Sequence, residues 1–224
     1  MSSARAIGSL LLAVPVLVVI ALTQFPNYDA RSQFFVGTYR NIVDAGGSYL
    51  VSLLLFLLIA ATLAVLAIGL WRSPLAEATQ FLWVVIGGLG VSAAGFAIAA
   101  LAGLPVWWWA RQAADGTLTV LDAANRSSGL ASLSQTVLLT IAFGGLLIGM
   151  SALGVIGVVQ QWIPRWLFYA TIAAAVGAVV LALATDGPAL WVGFGLLPMM
   201  WAVVLGIVLL IRGAFATDAA PATG

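Results

Sequence analysis

Histidine, cysteine and lysine are missing from this chain of 224 residues, and each absence removes a chemistry. Without His there is no usual haem ligand, no favoured zinc ligand and no common general base. Without Cys there is no disulfide, thiolate nucleophile, iron–sulfur cluster or palmitoylation site, and the redox compartment stays open. All eight basic residues are Arg, so no lysine can form a Schiff base with retinal or pyridoxal phosphate. Redox-cofactor carriers and rhodopsin-like photoproteins are thereby set aside, and no cofactor or metal is expected. Charge of either sign is scarce, at 7% of residues against about 25% in ordinary soluble domains. The net charge of +1 carries no nucleic-acid footprint. No cluster of basic residues along the chain offers a site for anionic lipid heads.

What is present is apolar, at 63% of residues, too much for a soluble fold of this length to hide. The fifteen charged residues leave six uncharged intervals, 6–28, 45–71, 78–110, 127–164, 166–185 and 187–211. Each holds the roughly 20 apolar residues that cross a bilayer core of about 30 Å. Burying an Arg or Asp at mid-membrane costs about 2.5–3.5 kcal/mol, so the charges mark where the chain leaves the hydrocarbon. The pattern predicts one all-α transmembrane domain over 1–224, a bundle of six helices at about 6–23, 48–71, 79–103, 136–159, 166–184 and 190–211. The first reads as a retained signal-anchor rather than a cleaved signal, because no small-x-small cleavage site follows it. Pro15 and Pro198 fall inside the first and last spans as candidate helix breaks.

Two connections are longer than the rest. In residues 24–47, Phe35, Tyr39 and Ile42 recur at helical spacing, predicting a short helix at the membrane interface. Residues 104–135 carry Pro105, the triplet Trp107-Trp108-Trp109 and an Asp115-Gly116 turn, and read as a second loop with its own short interfacial helix. Ser73-Pro74 reads as N-cap and first helical residue. With the N-terminus inside, Arg5, Arg72, Arg165 and Arg212 fall on one side and Arg31, Arg40, Arg111 and Arg126 on the other. The first four hug short segments at span ends, which predicts both termini cytoplasmic. Abundant Ala, Gly, Val and Arg without Lys fits a high-GC bacterium, hence a bacterial inner membrane.

The tract Ile163-Pro164-Arg165-Trp166-Leu167, opening a helix after a Gly-rich span, resembles a family of bacterial membrane proteins. So do the opening Arg5-Ala6-Ile7-Gly8, the closing Leu210-Ile211-Arg212-Gly213 and the order of helices and long loops. The family is the one catalogued as domain of unknown function 4386; the resemblance implies a six-helix membrane protein and supplies no activity or catalytic residue. Met199-Met200-Trp201-Ala202-Val203 departs from it, since members carry an acidic residue shortly before the final basic one.

Candidate sites are few, because no ionisable residue lies inside a span. The i,i+4 pairs Arg40/Asp44, Arg111/Asp115 and Asp122/Arg126 define a candidate outward pocket, although exposed pairs of this kind usually serve only solubility. Trp71, Trp107, Trp108, Trp109, Trp162, Trp166 and Trp191 stand near span ends as membrane-interface anchors. Gly87, Gly88, Ser92 and Gly95, with Gly145 and Gly149, form small-residue faces suited to close helix packing or to a partner subunit. No nucleophile–base set, phosphate loop or metal spacing occurs. The leading reading is a non-catalytic accessory or scaffold subunit, or a lipid-binding one, partnered by the bilayer and by another membrane protein. A small transporter or channel for an uncharged or lipophilic solute, using the Pro15 and Pro198 breaks, is the alternative. A membrane enzyme working through Asp115 and Asp122 is the third.

Overall fold

The computed structural model describes residues 3–26, 35–169, 172–173 and 189–213; the side chains of 3, 78 and 189–197 are outside that description. All regular structure among them is helical: α1 (Ser3–Gln24), α2 (Phe35–Ala45), α3 (Gly47–Trp71), α4 (Leu75–Ala78), α5 (Leu82–Ala114), α6 (Val120–Val137), a π-helical segment (Leu138–Ala142), α7 (Phe143–Val159) and α8 (Ala189–Arg212). Residues 165–169 are helical as well. Among the described residues four stretches are long and apolar enough to cross a membrane: Ala4–Gln24, Gly47–Trp71, Leu82–Ala114 and Val120–Val159. The protein is an integral membrane protein. Most of the fifth predicted span, 166–184, lies outside the described residues, and α8 stands where the sixth was expected.

Local chemistry explains most boundaries. The predicted turn forms at Asp115-Gly116, with Gly116 at φ +74° in the left-handed region that glycine adopts without strain. Thr119 then caps α6, its Oγ1 accepting from the Asp122 backbone N–H at 3.1 Å. Upstream of that turn the expected loop is helix instead: α5 runs unbroken through Pro105 and the tryptophan triplet to Ala114. The reason is that a proline removes one helical bond, a loss that neighbouring helices absorb in a membrane, and Ala, Arg and Gln beyond it favour helix. Likewise α1 continues through Pro15 and α8 through Pro198, so neither proline ends its helix, and both rings are buried. Ser73 does not cap α4; its buried hydroxyl donates back to the Leu70 carbonyl at 2.6 Å and closes α3.

The chain resolves into two compact units. The first comprises Met1–Pro15, Thr62–Ser92 and Phe143–Gly224; the second comprises Val16–Ala61 and Ala93–Ala142. In the first unit α5 and α7 meet backbone to backbone: a Cβ placed on Gly88 would stand 2.5 Å from Gly149 N, and one on Gly145 would stand 2.6 Å from Ser92 N. Contact this close leaves no room for a side chain at Gly88 or Gly145. Gly8 of α1 and Gly206 of α8 meet in the same way, each missing side chain 2.9 Å from the other's carbonyl oxygen. Trp201, fully buried, lies against Gly154 of α7 and stacks near Phe168 at 5.6 Å.

In the second unit polar side chains bind helices together. Tyr39 Oη donates to the Val106 carbonyl at 3.2 Å, Ser134 Oγ to Ala99 at 2.7 Å and Trp107 Nε1 to Gly46 at 3.2 Å. Phe25, Tyr49, Phe56 and Phe96 form a chain of aromatic contacts between 5.5 and 5.7 Å through its interior. The stripe predicted on α2 is real, for Phe35, Tyr39 and Ile42 are its buried residues. Protein covers it, because α2 packs on α6, whose buried residues include the small Ala123, Ala124, Ser127 and Ala131.

Candidate functional site

Every charged side chain among the described residues is exposed. The buried hydroxyls of Ser52, Ser73, Ser127 and Ser134 all donate to backbone carbonyls, those of Tyr49, Leu70, Ala123 and Ala99. No His, Cys, Asp or Glu cluster fit to hold a metal occurs among the described residues. Any site must therefore be sought at helix ends.

The six residues of the predicted outward pocket all belong to the second unit. Arg111 and Asp115 pair at 3.9 Å, both about 60% exposed (62% and 63%), and the Arg111 guanidinium lies 5.9 Å from the Trp107 ring centre. Asp122 is committed to the cap of α6, its Oδ2 accepting from the Thr119 hydroxyl at 2.7 Å. Arg40, Asp44 and Arg126 are exposed on α2 and α6, and neither Arg40/Asp44 nor Asp122/Arg126 forms an ion pair. Tyr39 is buried on the same helix as Arg40 and Asp44, its phenol pushed up from the usual tyrosine range by burial and drawn partly back by a hydrogen bond with Ser127.

The tryptophans divide. Trp71, Trp108 and Trp166 are exposed, Trp107 and Trp109 are half-buried, and the Trp191 side chain lies outside the described residues. Trp162 differs, being only 3% exposed, so its indole supports the protein's own turn.

That turn shapes a feature the linear sequence does not display. After α7 the chain makes a Schellman cap: Trp162 N–H donates to the Gly157 carbonyl at 2.7 Å and Gln161 N–H to Val158 at 3.1 Å. The left-handed position of this motif is usually glycine, yet here Gln161 occupies it at φ +58°. Such a residue is strained by about 1–2 kcal/mol. Its carbonyl accepts a long bond from Arg212 Nη1 at 3.4 Å. A recess of about 390 Å³ opens there, lined by Gln161, Trp162, Pro164, Arg165 and Arg212, with Val158 and Ile163 completing the wall. Outside that lining, Arg5 of α1 stands near: its Nε lies 3.0 Å from where a Cβ on Gly213, the residue after Arg212, would be. Sequence reading finds no basic cluster because these three arginines come from remote segments; only the fold gathers them.

No protein-family model matches this chain, and no curated protein or solved structure matches it either.

Proposed function

We propose that this protein is a non-catalytic subunit of a bacterial inner membrane, an accessory or scaffold that packs against another membrane protein and binds lipid, with both termini cytoplasmic. The observation that carries the reading is the commitment of its interior. Within each unit, helices close on one another through glycine backbones or through hydroxyls already bonded to carbonyls, and all described charges face outward. Proton transfer and ion coupling need a poised acid or base, or open carbonyls, inside the membrane. Pro15 and Pro198 sit in continuous helices, which favours packing over a solute path. The shared membership of Arg5, Arg72, Arg165 and Arg212 in one unit supports placing them on one membrane face. The family resemblance at Ile163–Leu167 is part of the same reading.

Mild detergent extraction followed by native mass spectrometry tests it. A stoichiometric partner, or retained lipid above the 23.1 kDa chain mass, is the expected result. A bare monomer that moves solutes across proteoliposome membranes would overturn it in favour of transport.

A further inference from the structure

The lipid-binding part of that reading can be given an address. We propose that the recess at the end of α7 and α8 holds the phosphate headgroup of an anionic phospholipid, gripped by Arg165 and Arg212 with Arg5 alongside; this rests on the membrane-subunit reading above.

Three independent observations converge there. First, the recess, about 390 Å³, is lined by two guanidinium groups from segments far apart in sequence. Planar guanidinium forks match phosphate oxygens in pairs, and basic pockets between helix ends are places where phospholipid heads settle. Second, neither arginine is neutralised by an acid among the described residues. Arg212 commits one N–H, by a long bond, to the Gln161 carbonyl, which holds its stem at the rim. Arg5 adds a third positive charge next to Gly213, where the absent side chain leaves room for the guanidinium. Two cations on the lining and a third nearby, none paired with an acid among the described residues, favour an anion as occupant.

Third, the immediate neighbours in the chain are apolar and bare. Val159 precedes the turn, Trp166 and Tyr169 follow Arg165, and Ile211 precedes Arg212; all are exposed, Ile211 by 77% and Trp166 by 69%. A free inorganic phosphate would satisfy the cations and ignore this apolar rim. A phospholipid satisfies both, because its acyl chains and its phosphate are joined. The strained Gln161 fits the same picture: backbone strain persists where surrounding structure over-determines it, and here it sets a carbonyl under Arg212 and a side chain in the wall.

The test uses the full chain, purified in mild detergent and titrated with phosphatidylglycerol, phosphatidylcholine or inorganic phosphate under native mass spectrometry. Each arginine lining the recess is expected to add about fivefold in affinity, so Arg165 and Arg212 together should give the wild type a preference of about 25-fold for phosphatidylglycerol. The double variant Arg165→Gln/Arg212→Gln should lose that preference, and each single variant about fivefold of it. Arg111→Gln/Arg126→Gln, the same charge change in the second unit, should keep it. An unchanged preference in either single variant overturns the site, as does an equal loss in the second-unit control. Inorganic phosphate binding with no distinction between the two lipids would reassign the recess to a soluble anion. Carbonate extraction of membranes separates this from the parent reading. A chain released by carbonate sinks the membrane subunit itself, whereas a retained chain indifferent to headgroup charge sinks only the lipid site.

Discussion

The two units weight two devices differently, although a glycine contact, Gly95 against Ala142, occurs in the second as well. In the first, α5 and α7 touch through glycines, and dispersion between backbones supplies the attraction. In the second, Tyr39, Ser134 and Trp107 reach across to carbonyls, and aromatic rings fill the space between helices. Without a hydrophobic force between helices in lipid, both devices work, but they fail differently. Glycine contact tolerates no added atom. A hydrogen-bonded contact tolerates shape change and is sensitive to the loss of a single donor.

Substitution at Gly88 should give the largest effect. A Cβ there meets only backbone, at 2.5, 2.7 and 2.9 Å, so no side chain can swing aside. Gly88→Leu is expected to cost on the order of 3 kcal/mol or more and to abolish a cooperative thermal transition in detergent. Gly87→Ala, one position away with nothing within 4 Å, should be neutral or slightly stabilising, since alanine favours helix. Equal damage at the two positions would end the reading of Gly88 as a backbone-to-backbone contact.

Removing the donors of the second unit comes next. Tyr39→Phe and Ser134→Ala should each cost about 1 kcal/mol in detergent denaturation, through the lost interhelical bonds to the Val106 and Ala99 carbonyls. Tyr39 also carries a pH signature. Its folded pKa is raised, so its contribution is complete below the unfolded value near 10 and declines as pH climbs above it, when the unfolded chain releases the proton first. Stability should therefore fall above about pH 10, and Tyr39→Phe should flatten that fall; a wild-type-like slope in the variant would contradict it.

A smaller change, of opposite sign, is expected at Gln161. Gln161→Gly relieves the left-handed strain and should raise stability by about 0.5–1 kcal/mol in a melting experiment. Least of all, breaking the exposed pair with Asp115→Asn should move stability by under about 0.5 kcal/mol and less still in high salt.

Periodic features were legible before any coordinates. The α2 stripe of Phe35, Tyr39 and Ile42, the Asp115-Gly116 turn and the Gly88/Gly149 seam all follow from spacing that a helix or turn enforces locally. The run of α5 through Pro105 and Trp107 was not legible, because proline breaks helices in water and tryptophan marks interfaces, and both rules yield inside a bundle. Ser73 misled for a related reason: its hydroxyl serves equally as a cap or as a donor to the preceding turn, and the buried setting chose the latter. The recess was invisible because Arg5, Arg165 and Arg212 belong to three separate helix ends, and nothing local records that they converge.

The Gly8–Gly206 contact sets a schedule for biogenesis. α1 leaves the ribosome first and α8 last, yet each supplies the groove into which the other fits. Until Gly206 has been made, the notch at Gly8 and Leu12 has no partner on α8.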